Sequence, residues 1–161
     1  MEIKVAQLLN EQVNKEMFSA YLYLDIENYF SEQDLDGFAH WYMLQAAEEM
    51  EHAMKIYNYL HEEQEKITLE AIAKPDCSFK NDREPLEAAL EHEKFITDSI
   101  HTIYEAAEEA KDYRTMRFLD WFVTEQAEEE VNANELLAKY DKFGNDPRAL
   151  YLLNSELKGR E

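Results

Sequence analysis

Residues 46–60 read AAEEMEHAMKIYNYL, a stretch in which the side chains of one helix face recur every three or four positions. Apolar residues at that spacing form the buried stripe of an amphipathic helix. Glu49 and His52 stand inside this stripe, ahead of Ile56, and lie on the same helix face. Because a buried carboxylate is rare unless it is paired or bound to metal, the stretch predicts a core helix that carries a polar site.

Three further segments repeat this pattern, so we expect four long helices. Only three glycines and three prolines punctuate the chain, which indicates an all-α fold. Polar side chains occupy the centre of each stripe. The predicted buried stripes are Leu9, Val13, Glu16, Ala20, Tyr23 and Glu27; Phe38, Tyr42, Gln45, Glu49, His52, Ile56 and Tyr59; Leu86, Leu90, Glu93, Thr97, Ile100 and Tyr104; and Leu119, Phe122, Gln126, Glu129, Ala133, Leu136 and Tyr140.

The breaks between the stripes predict the topology. Short breaks at 31–37 and 109–114 each make two neighbouring helices antiparallel. The break at 62–83 contains roughly twenty residues, which at about 3.3 Å each can run the length of a ~40 Å bundle. We therefore expect a four-helix bundle made of two antiparallel hairpins, with a long crossover between helices 2 and 3.

The end of the chain predicts a short fifth helix over about 147–157. Its apolar residues share one face, which needs a partner to cover it: Ala149, Leu150, Leu153 and Leu157. Another subunit and the same bundle are both possible partners. With this helix, a chain of 161 residues fits one domain over 1–161, of which the bundle takes about 1–143.

The spacing of polar residues predicts that they meet in one layer. Two pairs are each 33 positions apart, Glu16 with Glu49 and Glu93 with Gln126, so both are placed symmetrically about a hairpin turn. Four carboxylates then surround His52: Glu16, Glu49, Glu93 and Glu129. One neutral imidazole cannot balance four anions, which predicts a multivalent cation. Oxygen ligands with a single imidazole suit iron or manganese better than structural zinc, although zinc can compete.

Several residues near this layer allow more than one interpretation. Tyr23 is a core tyrosine bonded to a carboxylate, which is compatible with a second role in redox chemistry. Trp121 is interpreted in the same way, and Met50 as a packing residue rather than a haem ligand. An acidic set beside the layer is either a solvated face or a third metal position: Glu48, Glu125 and Glu128. We expect the remaining histidines on the surface: His40, His61, His92 and His101.

Composition limits the partners. The chain carries 36 acidic and 16 basic side chains, a formal charge of −20, which argues against nucleic acid and anionic membranes and favours cations. Cys77 is the one cysteine, which excludes a disulfide framework and a CxxC redox pair. Charges near the amino terminus exclude a signal-peptide core or a membrane span there. These features predict a soluble, cytoplasmic protein.

Four segments resemble the non-haem bacterial and archaeal ferritins, and the resemblance covers essentially the whole chain. They are NKEMFSAYLYL (14–24), AAEEMEHAMKIYNYL (46–60), ALEHEKFIT (89–97) and WFVTEQAEEE (121–130). The fourth contains Gln126-x-x-Glu129 without a second histidine, which points away from bacterioferritin, and we expect no haem. A rubrerythrin-type peroxidase normally adds a cysteine-rich module, and mini-ferritins place their iron site between subunits, so both fit less well.

The resemblance implies a ferroxidase that stores iron inside a hollow shell of 24 subunits, oxidising Fe(II) with dioxygen or peroxide. It assigns a first iron to Glu16, Glu49 and His52 and a second iron to Glu49, Glu93 and Glu129. Tyr23 would then bond to the ligands, and Gln126 would lie beside the oxygen site. A possible third iron site in the family corresponds to Glu48, Glu125 and Glu128, together with Glu129.

Two other functions stay open. A di-iron oxidase or peroxidase acting on another substrate would form a small oligomer and mineralise nothing. A helical interaction protein would stabilise its buried acids with some other cation and bind no iron. Particle size and metal content distinguish these possibilities.

Overall fold

The computed structural model describes residues 1–75 and 78–161, so Cys77 lies outside the described residues. Within them the chain forms α-helices and no strands, which confirms the all-α prediction. The helices are α1 (Ile3–Glu32), α2 (Asp36–Glu62), α3 (Arg83–Glu109), α4 (Tyr113–Phe143) and α5 (Pro147–Leu157). Among the described residues, no helix combines the length and the apolarity that crossing a bilayer requires.

Contacts at the helix ends establish the direction of each helix. Tyr29, near the end of α1, donates to Asp82 Oδ1 at the start of α3 (2.8 Å), so these two helices are antiparallel. Tyr59, near the end of α2, lies 2.9 Å from Thr115 at the start of α4, so this pair is antiparallel too. Since α1 and α2 form a hairpin, α2 and α3 run parallel, and the segment between them crosses the length of the bundle as predicted.

The core has two apolar halves with the polar layer between them. Phe30, Phe38 and Tyr42 belong to the half near the α1–α2 turn, and Leu9 and Ile56 to the other. Most predicted stripe residues are buried. A helix turns every 3.6 residues, whereas alternating steps of three and four average 3.5, so a long predicted stripe gradually leaves the buried face. Five predicted stripe residues are accordingly only partly buried: Glu27, Thr97, Tyr104, Ala133 and Tyr140.

The fifth helix packs back onto α2 and α4 of its own chain. Leu153 and Leu157 are buried there, while Tyr151 and Leu152 stay 70% and 68% exposed. The apolar face that needed a partner is thus covered by the same bundle, and the neighbouring apolar residues remain open. This packing brings α5 against the start of α2.

Candidate metal centre

All four bundle helices contribute to the polar layer. Glu16 comes from α1, Glu49 and His52 from α2, Glu93 from α3 and Glu129 from α4, and none of them is more than 4% exposed. Each predicted ligand is therefore inside the protein. The long helices hold these side chains at one height because α1–α2 and α3–α4 are symmetric hairpins.

Within residues 1–75 and 78–161, side-chain atoms that could bind a metal form three overlapping groups, in each of which these atoms lie within 4.8 Å of one another. We call Glu16, Glu49 and His52 the first group, and Glu49, Glu93 and Glu129 the second group. Glu49 belongs to both, as a bridging ligand must. A third group consists of His52, Glu125 and Glu129.

Neutral donors hold three of the four carboxylates. Glu16 Oε1 accepts from Gln12 Nε2 at 2.8 Å, and Glu129 Oε2 accepts from Gln45 Nε2 at 2.9 Å. Glu93 accepts a short hydrogen bond from the Tyr23 hydroxyl, and its Oε2 accepts from Gln126 Nε2 at 3.1 Å. Tyr23 and Gln126 therefore both contact Glu93 directly.

Several buried ligand atoms have no hydrogen-bond partner within the described residues. These atoms are Glu16 Oε2, Glu49 Oε1 and His52 Nδ1. His52 Nδ1 lies 3.4 Å from Glu49 Oε2 without forming a hydrogen bond. Buried polar atoms are normally satisfied, so orphans on two carboxylates and an imidazole fit a site built for a cation. Carboxylate oxygens with one imidazole suit iron or manganese.

The electrostatics of the layer agree with this fit. Burial, followed by the charge of Glu49, holds the pKa of Glu16 well above its usual range. Burial and the neighbouring carboxylates likewise raise the pKa of Glu49, and burial with the charge of Glu93 raises the pKa of Glu129 to about 7. The metal-free layer therefore favours protonated carboxyls, and a binding cation must displace those protons.

The structure separates the residues of the predicted third iron position. Glu125 Oε1 lies 3.9 Å from His52 Nε2 and joins Glu129 in the third group. Glu48 instead accepts from the Arg160 guanidinium at 2.7 Å, and Glu128 is exposed. Only Glu125 of this acidic set is thus brought to the centre.

Some neighbouring residues differ from the sequence-based expectations. His92 is partly buried rather than superficial: its Nε2 lies 2.7 Å from Ser19 Oγ, and burial lowers its pKa to about 4. His40 is also partly buried, because its Nε2 lies 2.7 Å from the Arg160 carbonyl oxygen. Tertiary contacts decide both positions. By contrast, His61 and His101 are exposed.

Trp121 and Met50 are more exposed to solvent than expected for core or packing residues. Trp121 is 38% exposed, with its ring 5.4 Å from that of His52, and Met50 is 42% exposed. Gln12 and Gln45, which hold Glu16 and Glu129, were not among the predicted site residues. Their positions in the sequence could have identified them, because Gln12 lies one helical turn before Glu16 and Gln45 one turn before Glu49.

Comparison with known proteins identifies the family of this chain. The family described as "Ferritin-like domain" matches residues 6–143. A bacterial non-heme ferritin of Campylobacter jejuni is 39% identical, over 96% of this chain and 93% of its own length. A probable bacterial non-heme ferritin-like protein of Haemophilus influenzae is 37% identical, over 95% of this chain and 93% of its own.

The solved structures give the same result. An open pore ferritin of the archaeon Archaeoglobus fulgidus superposes with a TM-score of 0.97 at 38% identity, covering 100% of this chain and 98% of the other. The resemblance seen in the helix motifs is thereby confirmed over nearly the full length. On the match to the family, the two relatives and the shared fold, the chain belongs to the ferritin-like family.

Proposed function

We propose that this protein is a ferroxidase that oxidises Fe(II) at the polar layer and stores the ferric product. One observation carries the proposal: four buried carboxylates and His52 meet in the first and second groups, and these groups share Glu49. No lysine or arginine within the described residues forms an ion pair with those four carboxylates. Such a site favours divalent iron as its substrate.

In this proposal the protein contributes binding and charge, and iron contributes the redox chemistry. One Fe(II) binds at Glu16, Glu49 and His52, and a second binds at Glu49, Glu93 and Glu129. Oxidation of two Fe(II) releases two electrons, which dioxygen or peroxide accepts. Tyr23 and Gln126 hold Glu93 while this occurs, and Glu125 with Glu129 offers a place for a third iron.

Storage requires a closed assembly, and we propose a shell of 24 chains. The relatives named as ferritins and the exposed Tyr151 and Leu152 on α5 support further association between chains. A cytoplasmic location belongs to the same proposal, because a single cysteine suits a reducing compartment.

The test adds two Fe(II) per chain in air, follows ferric absorbance, and sizes the same sample. Rapid oxidation in a particle of about half a megadalton, the mass of 24 chains of 19.1 kDa, supports the storage shell. Rapid oxidation in a particle the size of a dimer would refute the storage shell and indicate an oxidase that acts on another substrate. Oxidation no faster than in buffer would refute the ferroxidase.

A further inference from the structure

A chain of hydrogen bonds leads from a partly exposed lysine to the first group. Lys15 Nζ donates to Ser99 Oγ at 2.7 Å, and Ser99 Oγ donates to Gln12 Oε1 at 2.6 Å. Gln12 Nε2 then donates to Glu16 Oε1 at 2.8 Å. We call Lys15, Ser99 and Gln12 the Gln12 chain; it joins α1 to α3 and ends on a predicted iron ligand.

The lysine at one end of this chain and the Glu16 carboxylate at the other together favour one direction for its bonds. An ammonium group can only donate, so Ser99 Oγ accepts from it and turns its own proton toward Gln12. Gln12 Oε1 accepts that hydrogen bond, which leaves the amide nitrogen to donate to Glu16. The reversed amide would set its oxygen against the Glu16 carboxylate and lose that hydrogen bond, and the Ser99 hydroxyl would lose the acceptor of its proton.

Burial makes this direction matter. Gln12 is fully buried, and Ser99 is 8% exposed. At this depth an amide in the reversed orientation cannot replace its lost hydrogen bonds with bonds to water. In addition, linked hydrogen bonds strengthen one another in a buried site. Glu16 Oε1 is thus held by the Gln12 chain, while Glu16 Oε2 has no partner and stays available for a metal.

In the second group, the amide that holds Glu129 is less completely hydrogen-bonded than Gln12. Gln45 Nε2 holds Glu129 Oε2, yet Gln45 Oε1 has no hydrogen-bond partner within the described residues. No comparable chain therefore fixes the direction of the Gln45 amide. Glu16 and Glu129 therefore differ in how firmly the direction of the amide that holds them is fixed, while Glu93 of the second group accepts from both Tyr23 and Gln126.

We propose that the Gln12 chain is a positioning device that orients Glu16 for metal binding in the first group. The inference rests on the proposed function, because it concerns the same metal centre. Gln12 acts through Glu16 and does not touch the metal, and Lys15 acts through Ser99 and Gln12.

The test measures Co(II) binding to the assembled protein by calorimetry, and locates the bound Co(II) by anomalous diffraction. Gln12→Met keeps the side-chain length but removes the amide. We expect it to weaken Co(II) binding at the first group by about 10- to 100-fold, the usual effect of losing a group that orients a ligand. The anomalous signal should fall at the first group and persist at the second.

Three further variants separate positioning from a general structural role. Lys15→Met leaves the buried residues in place and should weaken the first group alone, while Lys15→Arg, which keeps a cationic donor, should restore it. Gln45→Met is the matched control, because it removes an equally buried amide from Glu129. It should weaken the second group and spare the first.

Three results would overturn the inference. Full Co(II) binding by the wild type with unchanged binding by Gln12→Met would refute the positioning role while leaving the ferroxidase intact. Equal weakening of both groups by Lys15→Met would show general destabilisation instead. Absence of Co(II) binding by the wild-type protein would refute the metal centre itself, and the positioning role with it.

Discussion

Asn154 of α5 caps the start of α2, because its Oδ1 accepts hydrogen bonds from the backbone amides of Gly37 at 2.8 Å and Phe38 at 3.3 Å. The N-cap residue of α2, Leu35, provides no side-chain hydrogen bond of its own. A Cβ atom on Gly37 would lie 1.7 Å from the Asn154 carbonyl oxygen, so the close approach requires glycine. The last helix therefore stabilises the helix that carries Glu49 and His52.

Replacing Asn154 by Ala should lower the free energy of unfolding by about 1–3 kcal/mol, because two buried amides lose their acceptor. Guanidinium unfolding of the metal-free protein measures this change. Ser155→Ala, at an exposed position of the same helix, is the control and should change little. Equal stabilities of the Asn154 and Ser155 variants would show that the cap contributes nothing.

Loss of the bridging or nitrogen ligand should abolish fast iron oxidation. Glu49→Ala and His52→Ala should each slow the initial rate by more than about tenfold, since each removes a ligand of the first group. Stopped-flow ferric absorbance measures the rate, and particle size should not change. Glu51→Ala, exposed on the same helix, should oxidise at the wild-type rate. An unchanged rate in the Glu49 variant would refute the site assignment.

The stability of the metal-free protein should fall as the pH rises. The pKa of Glu129 is raised in the folded protein from 4.5 to about 7, so folding favours its neutral form. This contribution is fully present below about pH 4.5 and is lost as the pH rises through about 7. Thermal unfolding of the metal-free protein between pH 4.5 and pH 8 tests the direction.

Glu129→Gln isolates the part of that dependence that comes from one carboxyl. The amide cannot ionise, so the variant should be more stable than the wild type at pH 8, on the order of 3 kcal/mol, and similar to it at pH 4.5. Identical pH profiles of the two metal-free proteins would show that Glu129 is not the titrating group.

The third group predicts different effects within the acidic set. Glu125→Ala should remove binding of a third ion, because Glu125 is the member that approaches His52 and Glu129. Glu128→Ala should have little effect, because Glu128 is exposed and outside the group. Calorimetric counting of bound Co(II) per chain distinguishes the two. Greater loss in the Glu128 variant would contradict the arrangement.

Arg160→Ala offers an independent test of the same position. The variant releases from its 2.7 Å ion pair the Glu48 carboxylate, whose charge acts on Glu129 of the third group. Binding of the third ion should therefore strengthen. Weaker binding in this variant would mean that Arg160 supports the site rather than competing for Glu48.

The carboxylates and the histidine of the polar layer could be predicted to meet because the pattern that brings them together lies within single helices and hairpins. Glu49 and His52 share one face of one helix, and equal spacing about each hairpin turn places Glu16 opposite Glu49. Burial of a charge in a periodic apolar stripe then marks the site. The residues that hold Glu16 could be predicted only in part. Gln12 lies one helical turn from Glu16, whereas Ser99 is 87 positions from Gln12 and no local pattern relates the two.

The sequence by itself determined the helices, the crossover and the layer of buried polar side chains, since each follows from periodicity within a helix or from the length of a connection. Only the tertiary structure decided that α5 caps α2, that Arg160 pairs with Glu48, and that His92 is partly buried. These contacts join residues 73 to 117 positions apart. No helical period relates such residues, so their meeting depends on how whole helices pack.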